Sequence, residues 1–289
     1  MSKTVLVTGA SGRTGRPVVE ALVARGAKVR GLVRKTDQAE NLRRLGAEAA
    51  IGDLENPASL IAACDECDTI MHIGPPMYAR EIEATIDLLR AGAHVGASHF
   101  IYYSVMHPLR QDVFHHRQKL HAEAHVVESG LPYTILQPTR YMQHLAPVWA
   151  RVRDDGIHAM PFSTKARFNI VDLRDLAEVC AIVTTEPGHL YASYELCGPE
   201  ALTSDDMAEI LAEALGHTVV AKTISPDEAM ASARAKGFDE ERIARMMTMN
   251  AHYDKYGFLG NPNILRWLLG RPPHTFREYV HDLMTGRTQ

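Results

Sequence analysis

The chain has 289 residues, 46% hydrophobic and 23% charged, with 31 Lys and Arg against 35 Asp and Glu for a formal net charge of −4. That composition belongs to a soluble globular protein able to bury a large core, and an acidic balance with no basic run excludes nucleic-acid binding driven by phosphate neutralisation. No apolar stretch reaches the ~18 residues of a membrane helix, and because residues 1–9 are predicted to enter a strand at once, no signal peptide is expected. The four cysteines fit a reducing, cytoplasmic setting.

The apolar run Val5-Leu6-Val7 leads directly into Thr8-Gly9-Ala10-Ser11-Gly12-Arg13-Thr14-Gly15, and an amphipathic segment follows over 17–23. This is strand, tight turn and helix in the order a dinucleotide site requires. Gly9 permits the turn, Gly12 lets backbone N–H groups approach a pyrophosphate, and Gly15 lets the helix pack against the strand. Ser11, Arg13 and Thr14 fill the same loop, and the helix N-terminus presents free amides and partial positive charge to an anion. Pro17 falls in the first turn, where its missing N–H costs nothing.

A second strand over 29–33 ends at Arg34 and Lys35, where an NAD-selective unit carries an acidic residue for the ribose. A guanidinium instead pairs with a phosphate, and Arg13 is a second cation for it. The pattern therefore predicts NADP(H) in preference to NAD(H).

Downstream, a helix over 38–45 stops at Gly46, and a strand at 48–51 runs into Gly52-Asp53-Leu54. A helix covers 57–63, a fourth strand 69–73 ends in Gly74-Pro75-Pro76, and a helix covers 78–91. A fifth strand spans 100–104, a helix 118–128 and a sixth strand 133–136. Repeated βα units with non-alternating apolar strands predict a doubly wound parallel sheet of the Rossmann type, class α/β. Beyond Pro138 the rhythm breaks into helices over 142–153, 173–185, 204–215, 227–235 and 240–250, with short strands at 194–196 and 219–223. With no Gly/Pro/Ser linker between the halves, residues 1–140 are predicted to form the core. Residues 141–289 form a smaller, mainly helical C-terminal cap that is not an independent domain.

Two other groupings invite chemistry. Cys64-Asp65-Glu66-Cys67 has metal or redox spacing, but no second pair completes it and two acids between the sulfurs oppose thiolate formation. His115, His116, His121 and His125 lack a carboxylate–histidine signature, so no metal site is predicted.

Gly9–Gly15, Arg34, Gly52-Asp53, Pro75-Pro76, Lys119 and Gly130-Leu131-Pro132-Tyr133-Thr134 together resemble the NmrA-like family of atypical short-chain dehydrogenases/reductases. The likeness extends to Phe168-Asn169-Ile170-Val171-Asp172 and Gly270-Arg271-Pro272-Pro273. The resemblance implies that Asp53 and Leu54 lie near the adenine and that Ile73, Gly74 and Pro75 run beside the nicotinamide ribose. Pro138, closing the sixth strand, joins this cofactor-binding set. Ordinary members of the superfamily use Ser, then Tyr-x-x-x-Lys. Here Ser104 closes the fifth strand and Lys119 fits the Lys position, but four residues earlier stands His115. Lys119 is a catalytic candidate that either binds the ribose, as the resemblance implies, or donates a proton if its pKa is lowered, and His115, whose imidazole type titrates near ~6.5, is a candidate acid. Tyr103 is a further catalytic candidate.

Two functions follow. One is an NADPH-dependent reductase passing hydride to a small, largely apolar acceptor such as a quinone or conjugated carbonyl. Met77, Met106, Tyr141, Met142, Trp149, Met160, Tyr253 and Phe258 would supply its apolar pocket. The other is a catalytically silent NADP(H)-binding redox sensor acting through a protein partner, which the missing Tyr favours. A monomer or homodimer is expected.

Overall fold

Each apolar run of the first 140 residues becomes a strand and each amphipathic run a helix. In the computed structural model, which describes residues 3–287, the order is β1 (Thr4–Val7), α1 (Gly15–Ala24), β2 (Lys28–Val33), α2 (Thr36–Arg44) and β3 (Glu48–Ile51). There follow α3 (Pro57–Cys64), β4 (Thr69–Ile73), α4 (Glu81–Val95), β5 (His99–Tyr103), α5 (Phe114–Glu128) and β6 (Tyr133–Pro138). A seven-stranded sheet runs in the order of edge strand Ala192–Leu196, then β6, β5, β4, β1, β2 and β3. Pairing is parallel throughout β1 to β6. Every residue of β4 and β5 is buried, as a sheet covered on both faces demands. Strand order reverses between β1 and β4, so the loop leaving β1 sits at the switch point where such sheets bind ligands. Leu6, Ile70, Phe100, Tyr102 and Ile135 centre the core below it.

The described residues fall into two compact units. The first comprises the chain up to Arg110, His116–Pro138 and Leu173–Glu195; the second comprises Gln111–His115, Thr139–Asp172 and the chain from Leu196 on. Helix Leu173–Thr185 packs against α1 within the first unit. The second unit holds helices Ser204–Leu215, Pro226–Ala235, Glu240–Tyr256, Asn263–Leu269 and Phe276–Met284. It also holds two small sheets, one of Arg140–Tyr141, Phe168–Val171 and Ala201–Leu202, the other of Ile157–Met160 and Val220–Thr223. Among these only the last strand is legible in the sequence, because alternation cannot be read from two to four residues.

Other boundaries shift for identifiable reasons. The helix expected over 142–153 is a 3-10 helix, Met142–Val148, followed by an α-helix, Trp149–Asp155. Pro147 carries no N–H for an α-helical bond. Helix α4 begins at Glu81, three residues later than expected, beyond the Gly74-Pro75-Pro76 loop, and Gly96 closes it at φ 68°. Asn169 stitches the second unit with both ends of its amide: Nδ2 donates to Gly198 O at 3.1 Å, and Oδ1 accepts from Gly260 N at 3.1 Å. No helix among the described residues is long and apolar enough to cross a membrane.

Candidate active site

The turn after β1 is built by its glycines in three different ways. Gly9 takes φ +63°, and a Cβ there would lie 2.6 Å from Ile73 O. At Gly15 a Cβ would lie 2.1 Å from Gly9 O, so the close packing expected of the third glycine is enforced by backbone. Gly12 differs, since a Cβ there meets only Gly9 O at 3.1 Å. Its hydrogen to the outside serves approach, not folding. Gly12 N donates to Gly9 O at 2.9 Å and Arg16 N donates to Gly12 O at 3.0 Å, which closes the turn onto α1.

The N-terminus of α1 carries no side-chain cap from Thr14 and no acid in its first turn. Its first amides and its dipole are thus left for an external anion. Ser11, Gly12 and Arg13 are exposed beside it. Arg34 and Lys35 are exposed at the end of β2, and Gln38 Oε1 accepts from both their backbone N–H groups, at 3.1 and 3.2 Å. None of Arg13, Arg34 and Lys35 makes an ion pair among the described residues. An uncapped helix start with three uncommitted cations on the same unit fits a phosphorylated dinucleotide. Asp53 caps its own turn, Oδ1 accepting from Glu55 N at 3.0 Å while its N–H donates to Ser59 Oγ at 3.0 Å. Leu54 packs against the core.

The buried floor below the loop after β4 is polar, which the sequence does not announce. Lys119, 3% exposed, donates from Nζ to Glu81 Oε1 at 2.7 Å and to Tyr103 O at 2.8 Å. Tyr102 OH donates to the same Glu81 oxygen at 2.7 Å, and the Lys119 ammonium lies 4.8 Å from the Tyr102 ring centroid. Burial alone raises a carboxyl, but the Lys119 ammonium beside it outweighs that and holds Glu81 well below the usual carboxylate range. His72 Nε2 faces Glu81 Oε1 at 3.8 Å without a hydrogen bond, while its Nδ1 is 2.9 Å from Thr8 Oγ1. Burial pushes His72 down to about 4, so the ring is neutral at pH 7. Gly74 belongs to this arrangement, because a Cβ there would sit 2.4 Å from Glu81 Oε2. Glu81 thus links the loop of Ile73, Gly74 and Pro75 to Lys119. In the sequence it is only an acidic residue in the first turn of a helix, a position favoured for its dipole alone.

The remaining candidates lie at distinct points. Ser104 is buried, its Oγ donating to Glu123 Oε1, and Gln137 Nε2 donates to the same carboxylate at 2.9 and 3.0 Å. Burial holds Glu123 above its ordinary range. Tyr103 is buried, and Pro138 O accepts from Met106 N at 2.9 Å. His115 is half-buried in the first turn of α5, within the short stretch that belongs to the second unit. His116 is buried with Nδ1 2.8 Å from His107 O, whereas His121 and His125 are exposed. Burial pushes the Cys64 thiol up to about 12 and the Cys67 thiol up to about 11, the opposite of a reactive pair.

The model of the NmrA-like family matches residues 1–277. The chain belongs to the NmrA-like family. Among relatives of this NmrA-like chain, an NAD(P)H azoreductase of Xenophilus azovorans is 28% identical over 277 residues, covering 96% of each chain. A quinone oxidoreductase of Escherichia coli is 22% identical over 281 residues, covering 96% of this chain and 98% of its own. Among solved structures, the Escherichia coli NADPH-dependent quinone oxidoreductase complexed with NADPH matches with a TM-score of 0.85 at 22% identity, over 97% of this chain and 99% of that one. The triphenylmethane reductase of a Citrobacter species, complexed with NADP(H), matches with a TM-score of 0.84 at 24% identity, over 96% and 98% of the two chains. These likenesses confirm the Rossmann-type fold of the NmrA-like chain.

Proposed function

We propose that this NmrA-like chain is an NADPH-dependent reductase that passes hydride to a small, largely apolar acceptor of the quinone or conjugated-carbonyl class. The observation that carries the reading is the uncapped start of α1 beside the uncommitted Arg13, Arg34 and Lys35. Relatives named as an NAD(P)H azoreductase and a quinone oxidoreductase over nearly the whole chain support it.

Bound NADPH would supply the hydride; the protein supplies binding, orientation and field. The backbone amides of Gly12 to Gly15 hold the pyrophosphate, and Arg34 with Arg13 takes the 2′-phosphate. Asp53 and Leu54 border the adenine, and Ile73, Gly74, Pro75 and Pro138 line the course of the nicotinamide half. Lys119 has three N–H donors, of which two go to Glu81 and Tyr103 O. The third holds the ribose and faces charge developing on the reduced acceptor. With no tyrosine at the usual spacing, proton delivery to that acceptor falls to His115 or solvent, and Ser104 and Tyr103 shape the wall.

The test is NADPH oxidation, followed by its absorbance, against a panel of quinones and enones. Saturable turnover with at least one acceptor, faster with NADPH than with NADH, is the expected result. Tight NADPH binding without turnover of any acceptor would overturn the reductase reading in favour of a redox sensor.

A further inference from the structure

In a chain whose acids outnumber its bases by 35 to 31, the stretch from Lys255 to Arg277 includes four Lys or Arg and no Asp or Glu. Three large apolar side chains of the same stretch face water: Trp267 is 70% exposed, Tyr256 57% and Leu259 43%. Trp267 lies on helix Asn263–Leu269, where Leu265 and Leu269, one helical turn apart, are buried and form the inner stripe. Ile264, Trp267 and Leu268, three and four residues apart, make a second apolar stripe that packing leaves half-buried or exposed.

The exposed groups stand on a fixed base. Phe258 is buried and stacked on Tyr253 with 5.0 Å between ring centroids. Its N–H donates to Arg167 O at 2.9 Å and its carbonyl accepts from Asn169 N at 3.0 Å. Gly260 N donates to Asn169 Oδ1 at 3.1 Å, so the backbone on both sides of Leu259 is tied down. The charges beside these apolar groups are available. Asp254, the nearest acid before Lys255, accepts from Ser163 N, and Arg277 is paired with Glu213. Lys255 and Arg266 are exposed and make no ion pair among the described residues. The Lys255 ammonium lies 4.8 Å from the centroid of the Tyr256 ring, which sets a cation and an aromatic group side by side.

Exposed apolar groups gathered in this way mark an interaction surface, and the charges select its partner. A second copy of the chain would set Lys255 and Arg266 against their own kind. Aromatic side chains bury about 150–250 Å² each, so Trp267 and Tyr256, neither fully exposed, fall short even with Leu259 of the roughly 800 Å² per side of a stable protein interface. A lipid surface demands no such area. Trp and Tyr rings seat at headgroup depth, and unpaired Lys and Arg are drawn to anionic headgroups. We propose that the stretch Lys255–Arg271 is a docking surface for an anionic lipid membrane. Trp267, Tyr256 and Leu259 enter the headgroup region, and Lys255 and Arg266 meet the anionic groups there. The contact is peripheral, because no helix among the described residues is long and apolar enough to span a bilayer. The surface is formed by the second unit alone and does not rest on the reductase reading.

Co-sedimentation of the full chain with vesicles of phosphatidylcholine alone, and of equimolar phosphatidylcholine and phosphatidylglycerol, tests this. Binding to the mixed vesicles is expected to be tighter by about ten-fold or more and to weaken as salt is raised. Lys255→Gln combined with Arg266→Gln should weaken it about twenty-fold, or roughly five-fold per cation. Trp267→Ala should weaken it by about ten-fold or more. Wild-type tryptophan emission should move to shorter wavelength on the mixed vesicles, and the shift should vanish in Trp267→Ala, which keeps only Trp149. Circular dichroism checks that the variants fold, and if Trp267→Ala does not, the double glutamine variant decides. Absence of binding to the mixed vesicles would overturn the proposal and leave the face to a protein partner. So would binding that these substitutions leave unchanged, which would put the contact elsewhere. A dimer in sedimentation velocity that Trp267→Ala dissolves would also overturn it, marking the face as a contact between two copies.

Discussion

Lys119 Nζ and Glu81 Oε1 stand 2.7 Å apart with both side chains almost wholly withdrawn from water. Two charges so placed are tolerable only together. Removing one leaves the other buried and uncompensated, at a cost of about 3–5 kcal/mol, whereas replacing both by neutral groups of similar shape is close to neutral. Lys119→Met should therefore lower unfolding free energy by about 3–5 kcal/mol in urea titration, and adding Glu81→Gln should recover most of the loss. Activity should behave differently. If the third N–H of Lys119 orients the ribose, kcat stays about 10²-fold down in the stabilised double variant, with NADPH affinity changed much less. Full recovery of kcat in the double variant would make the lysine purely structural.

The cations after β2 and in the glycine turn set the cofactor preference. Among the described residues Arg34 makes no ion pair to be lost, so Arg34→Ala reads out the 2′-phosphate contact directly. One charge-assisted hydrogen bond is worth about 1.5–3 kcal/mol, hence NADPH should bind roughly ten- to a hundred-fold more weakly. NADH affinity should hardly move. Equal losses for both cofactors in fluorescence titration would contradict the assignment.

Gly12 and Gly15 separate binding from folding. A side chain at Gly15 collides with Gly9 O at 2.1 Å, so Gly15→Ala should compromise the fold itself. At Gly12 the only neighbour is Gly9 O at 3.1 Å, so Gly12→Val should fold and fail to bind NADPH. Melting curves with and without NADPH make the comparison. A folded Gly12→Val protein stabilised by NADPH as the wild type is would place the cofactor elsewhere.

Three histidines predict the acid limb of stability. Burial lowers His72, His99 and His158 to about 4 each, while an unfolded histidine titrates near ~6.5. Between these values the unfolded chain binds more protons than the native one, so stability rises with pH and falls as pH drops from ~6.5 toward 4. Each histidine contributes a slope of about 1.4 kcal/mol per pH unit in that window. His99→Gln retains an amide for Thr134, which now meets His99 Nε2 at 2.8 Å. It should flatten the slope by one histidine's share in urea titrations at pH 7, 6 and 5. An unchanged slope would show that His99 is charged in the native state.

What the sequence by itself determined is everything local in chain distance. The run Val5 to Gly15, the strands near 48–51, 69–73 and 133–136 and the cations Arg34 and Lys35 could be read because each depends on neighbours within a few residues. Periodicity, glycine spacing and strand ends carry that information. The partners of Lys119 could not be read. Glu81 lies 38 residues away, and its approach requires β4 and β5 to pair so that α4 and α5 set one carboxylate and one ammonium into the same dry space. The same holds for Arg140 and His158, which the sequence presents as two polar residues in unremarkable stretches. Only folding buries His158 with Nδ1 unpartnered and leaves Arg140 without an oxygen acceptor among the described residues. Desolvation gives those groups their chemistry, and it is a property of the assembled tertiary structure.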